Sequence, residues 1–87
     1  MSLKEQFEAA VIASKALPKR PDNDDLLKLY SLYKQATEGD IDPETPAPGM
    51  FDFVNKAKFD AWKKLEGTSS ETAMEEYVKT VEALQGS

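Results

Sequence analysis

Tyr30, Tyr33 and Lys34 fall within five residues of one another in "LYSLYKQATEGD" (residues 29–40), and Lys58 stands beside Phe59 in "KAKFDAWKKLEGTS". Ammonium groups and phenolic hydroxyls suit phosphate oxygens, through charge-assisted hydrogen bonds. Tyrosine rings offer a stacking surface for a planar base. Val11, Leu26 and Leu27 supply apolar surface for a hydrocarbon. A molecule with a phosphate, a purine and a fatty tail meets all three demands. The competing reading is that each lysine lays its stem along a neighbouring ring and keeps its charge in water. That suffices for a lone lysine. Two lysines, each flanked by aromatics on a different helix, form the pattern of a converging site.

The elements that must position these groups are helical. "SLKE" at Ser2 is a capping box that opens a first helix over residues 3–16, with Leu3, Phe7, Ala10, Ser14 and Leu17 on one stripe and Val11 at its edge. Pro18 and Pro21 cannot continue it. Asp22 or Asn23 caps a second helix that runs to Glu38 and stops at Gly39. Residues 39–53 form a long loop with three prolines, and its Ile41, Met50, Phe51 and Phe53 are expected to pack on the body. A third helix is read over residues 54–66, closed by Gly67. A fourth starts at a Thr68–Glu71 capping box, with Ala73, Met74, Tyr77, Val78, Val81 and Leu84 on one face. No strand-like period of two appears. The expected class is all-α, a four-helix bundle. The short Gly67–Thr68 link predicts that helices three and four pack as antiparallel neighbours. The long loop allows helices two and three to run the same way. Phe7, Leu29, Trp62, Leu65, Val81 and Leu84 are assigned to the core.

Helix two carries too much apolar surface. At about 100° per residue its greasy arc, from Leu32 round to Leu27, spans roughly 220°, about twice what a core-facing stripe requires. Either the helix is surrounded, or a second face meets something other than protein. In helix three, Lys58 falls in the middle of the apolar arc of Ala61, Leu65, Trp62 and Phe59.

Composition narrows the function. Eighty-seven residues suit one domain over residues 1–87. The net charge of −5 argues against a general nucleic-acid binder. The charge is uneven, however: Lys56, Lys58, Lys63 and Lys64 face Asp60 alone in residues 54–65, while the preceding loop and the last helix are acidic. There is no cysteine and no histidine. Disulfides, thiolate metal sites, thiol nucleophiles and imidazole acid–base chemistry are therefore missing, and neither an enzyme nor a metal site is expected. The N-terminus lacks the continuous apolar stretch of a signal peptide, and no apolar run approaches the ~18 residues of a membrane span. A soluble, cytoplasmic monomer is expected.

"LYSLYKQATEGD", then "PGMFDF", "KAKFDAWKKLEGTS" and "AMEEYV", resemble the acyl-CoA-binding protein family over nearly the whole chain. The order and spacing of these motifs are specific. The resemblance implies an up-down-down-up bundle with the long loop crossing between helices two and three. It implies a non-catalytic carrier of medium- and long-chain acyl-CoA esters, without a cofactor, acting between acyl-CoA-producing and acyl-CoA-consuming enzymes. It further implies that Tyr30, Tyr33 and Lys34 hold the CoA head with its 3′-phosphate, joined by Lys58, by Tyr77 and by Lys15. Val11, Leu26 and Leu27 remain the acyl-groove candidates. The chain departs from the usual pattern at Phe59, where the family has tryptophan, and at Val54 and Asn55. Its loop is about two residues longer, and "LQGS" replaces a basic, tyrosine-containing tail. The alternative reading is a helical protein–protein interaction module, its surplus aromatic face docking a partner helix.

Overall fold

The structure, a computed structural model, describes residues 2–86. It holds four helices: α1 (Leu3–Ser14), α2 (Asn23–Glu38), α3 (Phe53–Lys63) and α4 (Ser70–Gln85). Both parts of the capping box at Ser2 form. The Asp22 side chain accepts from the N–H of Asp25 and caps α2. Two boundaries fall short of expectation because the chain tightens into three-residue turns. Lys15 and Ala16 donate to Ile12 and Ala13, and Leu65 and Glu66 donate to Trp62 and Lys63. The cap of α4 also differs from the expected Thr68–Glu71 box. Ser69 takes that place, its hydroxyl accepting from the N–H of Thr72, while the Thr68 carbonyl is engaged by Gln35.

Pairings between the helices fix their directions. Asn23 and Leu26, near the start of α2, line one hollow with Val54 and Ala57, near the start of α3, and Trp62 at the end of α3 bonds to Gln35 near the end of α2. These two helices are therefore parallel. Phe7 meets Met74, and Ala13 meets Val81, so α1 and α4 are parallel as well. Asp25 and Lys28 meet Thr80 and Leu84, which makes α2 antiparallel to α4. The bundle runs up, down, down, up, and the loop of residues 39–52 returns the chain along the length of α2.

Phe7, Ala10, Leu29, Leu32, Ala36, Ala73, Tyr77 and Val81 form the core, at the junction of α1, α2 and α4. Helix α4 packs on α1 and α2, whereas α3 packs on α2 alone. The expected side-by-side pairing of α3 and α4 is absent among the described residues. The link between them, with Gly67 at φ +89°, swings α4 to the far side of α2. Supported on one side only, α3 has no fully buried residue, and Trp62 and Leu65 are half-buried rather than core. Leu84 is likewise half-buried, packed against the core from outside. In the loop, Ile41 is buried, but Met50 and Phe51 remain 75% and 83% exposed, as does Phe53, the first residue of α3, at 72%. The prolines restrict that segment and few of its amides bond back to the body, so its apolar members stand out from it.

Candidate functional site

The surplus apolar arc of α2 is divided. Leu29, Leu32 and Ala36 are buried in the core, and α3 covers part of the rest. Leu26, Leu27 and Tyr30 stay half-buried, and Tyr33 is 41% exposed. These four line a run of connected hollows. One of ≈500 Å³ lies between the first halves of α2 and α3 and is walled by Leu26, Leu27, Tyr30, Val54, Ala57 and Lys58. A second, of ≈350 Å³, shares Leu26 and Tyr30 with it and adds Val11, Lys15, Tyr33 and Tyr77. A third, of ≈520 Å³, continues from Val11 and Tyr33 to Phe7, Ile12 and Met74. The three hollows share wall residues and lie side by side, from α3 over α2 to α1.

The two lysines singled out in the sequence meet at the α2–α3 seam. Lys58 Nζ lies over the Tyr30 ring, 5.1 Å from its centroid. Lys34 Nζ lies over the Trp62 ring, 5.6 Å from its centroid. Tyr30 and Lys34 are one turn apart on α2, and Lys58 and Trp62 are one turn apart on α3. The parallel helices thus set two cation–ring pairs in crossed order, about 6 Å apart along the seam. Tyr30 and Lys34 share one face of α2, and Lys58 and Trp62 share one face of α3, so both cation–ring pairs bridge the same two helices.

Their surroundings differ. Lys58 makes no ion pair among the described residues. Lys34 Nζ donates to Glu38 Oε2 at 2.6 Å. That hydrogen bond, with the carboxylate's charge, holds the ammonium above the ordinary lysine range despite partial desolvation. Tyr77 is 4% exposed, its ring edge-on to Phe7 at 5.1 Å and its hydroxyl donating to Ser14 Oγ at 3.2 Å. It forms part of the groove floor and also part of the core. Phe7, Tyr33 and Tyr77 together make an aromatic cluster. Lys15, just past the end of α1, sits exposed at the rim. Of the nine site candidates, only Lys34 lies outside the hollows; it borders the seam one turn beyond Tyr30.

A polar latch beside the seam was not legible in the sequence. Gln35 is fully buried. Its Nε2 donates to Asp40 Oδ1 (2.7 Å) and to the Thr68 carbonyl (2.8 Å), and its Oε1 accepts from Trp62 Nε1 (3.1 Å). Trp62 Nε1 also reaches the Gly39 carbonyl at 3.0 Å. Asp40 Oδ1 accepts from the N–H of Gly67 at 2.9 Å. This N–H, then the Gln35 amide, holds the Asp40 carboxyl below the ordinary aspartate range. Gly39, at φ +80°, turns the chain so that its carbonyl and Asp40 both face the latch. The result is a fixed indole under Lys34. Gln35 lies on the buried side of α2, where a polar residue ought to have raised the question of its partners.

The chain is similar to known proteins. Residues 4–81 match the family described as "Acyl CoA binding protein". The chain is 51% identical over 84 residues to the acyl-CoA-binding protein of Gossypium hirsutum, covering 97% of this chain and 92% of that one. It is 51% identical over 80 residues to the acyl-CoA-binding protein homolog of Drosophila melanogaster, covering 92% and 91%. The crystal structure of Oryza sativa Acyl-CoA-Binding Protein 2 superposes with a TM-score of 0.90 at 44% identity, covering 97% of this chain and 89% of that one. The chain belongs to the acyl-CoA-binding protein family.

Proposed function

We propose that this protein binds acyl-CoA esters reversibly and carries them without chemical change, its whole length acting as one acyl-CoA-binding domain. The observation that carries the proposal is the crossed pair of cations and rings at the α2–α3 seam, beside a row of apolar hollows. Lys34 and Lys58 bind phosphate oxygens, and Tyr30 presents a face to the adenine. Tyr33 and Lys15 border the head, Tyr77 supports the groove floor, and Val11, Leu26 and Leu27 line the acyl path. Medium and long chains are the preferred cargo, because each buried CH₂ contributes about 0.8 kcal/mol until the groove is full. Shielding the tail keeps a detergent-like molecule away from other surfaces. The carrier acts as a monomer between enzymes that make and use acyl-CoA, in the cytoplasm. Among the described residues no helix is long and apolar enough to cross a membrane.

Isothermal titration with CoA esters of increasing chain length tests this reading. Affinity is expected to rise severalfold with each added CH₂ up to a plateau, with free palmitate binding far more weakly than palmitoyl-CoA. Affinity independent of chain length would refute the groove. Binding of neither palmitoyl-CoA nor palmitate would leave the partner-docking module in its place.

A further inference from the structure

Among the described residues, Glu38 is the one anion placed directly on a cation of the seam. Its carboxylate receives the Lys34 ammonium at 2.6 Å, with the two side chains 30% (Lys34) and 53% (Glu38) exposed. Helix stability alone gives little reason for an acid at this position. Glu38 is the last residue of α2, where the helix dipole presents its negative end and disfavours a carboxylate. The pair also runs lysine first and glutamate second, the weaker order for an i, i+4 contact. The neighbouring carboxylate, Asp40, is engaged elsewhere, on Gly67 and Gln35. Glu38 therefore has one evident partner, and that partner is a phosphate-binding residue in the function proposed above, on which this inference rests.

We propose that Glu38 is an internal competitor that occupies Lys34 in the unliganded protein and lowers affinity for the CoA phosphate. A phosphate arriving at Lys34 must displace this carboxylate or share the ammonium with it, and it meets the carboxylate's negative charge while doing so. Lys58, with no such counter-ion, offers its charge directly. The two lysines are thus unequal: one is open to an anion, and the other is released on binding. Release turns Glu38 out to solvent, which its half-exposed position allows without disturbing the core. The consequence is a carrier whose grip on the head group is moderated, so that cargo leaves more readily than the two cations alone would permit.

The test is titration of octanoyl-CoA, at low ionic strength, into the wild-type protein, Glu38→Gln, Lys34→Ala and the double variant. An exposed ion pair is worth little, so Glu38→Gln is expected to tighten binding roughly two- to fivefold. The gain should shrink as salt screens the charge. In the Lys34→Ala background it should disappear. If Lys34→Ala weakens binding but Glu38→Gln does not tighten it, the competitor is refuted while the phosphate site stands. If Glu38→Gln helps equally with and without Lys34, the effect is one of general field, and the proposed pairing is overturned. If Lys34→Ala changes nothing, the head-group assignment of Lys34 fails, and this inference fails with it. Thermal melts of the four proteins check that folding is intact; Glu38→Gln is expected to melt no lower than wild type.

Discussion

Lys58 illustrates how far one residue can be judged from its type and setting. Its ammonium lies over the Tyr30 ring and has no carboxylate partner among the described residues. A hydrogen bond to a charged group contributes about 1.5–3 kcal/mol. Lys58→Met, which keeps the apolar stem, should therefore weaken CoA-ester binding roughly ten- to a hundredfold, and calorimetry at several salt concentrations should show a flatter salt dependence. Unchanged affinity would remove Lys58 from the site. Lys58 and Lys34 were both conspicuous in the sequence because a charge sat inside an apolar arc. Glu38 was not, since a glutamate four residues after a lysine on a helix is ordinary. Only the convergence of Lys34 with Trp62 gives that pair a place in the site.

At the scale of elements, the latch decides how α3 is held. With no fully buried residue of its own, α3 depends on Trp62, whose indole N–H is shared by Gln35 and the Gly39 carbonyl. Asp40 ties the same network to the α3–α4 link through Gly67. The Asp40 carboxyl titrates lower in the folded chain than in the unfolded one. A depressed carboxylate adds stability that is complete above the unfolded value, near pH 4, and is lost as pH falls through the folded value. Urea unfolding across pH 2–7 should therefore show an acid limb below about pH 4 that is shallower in Asp40→Asn. An identical limb in the variant would show that Asp40 does not carry this term. The helices themselves were legible from caps and periodicity. The ends of α1 and α3, the Ser69 cap and the separation of α3 from α4 were not, because three-residue turns and a swung link depend on what each backbone group meets in space.

The whole molecule sets a limited field against a negative total. The net charge is −5, yet Lys34 and Lys58 converge at one seam while most of the carboxylates lie elsewhere. Screening confines each charge to about 8 Å at physiological salt, so a local cationic site survives in an acidic protein. Ligand binding should also stabilise the fold as a whole, because the groove is built from α1, α2, α3 and α4 together. At a hundredfold excess over Kd the linkage is about 2.7 kcal/mol. For a chain of this size that corresponds to a rise in Tm of roughly 10–20 °C. Differential scanning fluorimetry with palmitoyl-CoA should show this rise, and an unchanged melt under saturating ligand would contradict a site spanning the bundle.

The amino-acid order alone determined four amphipathic helices, their main breaks, the acidic total, and a surplus face on α2 with lysines among rings; these are local matters of periodicity, capping and side-chain type. It also carried the family likeness, since the motifs are contiguous. Tertiary structure decided how that surplus was divided between the cover of α3 and an open groove, which loop aromatics stayed in solvent, that Gln35 and the Gly39 carbonyl clamp Trp62, and that Lys34 is already engaged by Glu38. Most of these depend on groups far apart in the chain; the Lys34–Glu38 contact joins near neighbours and depends instead on rotamers chosen by their surroundings.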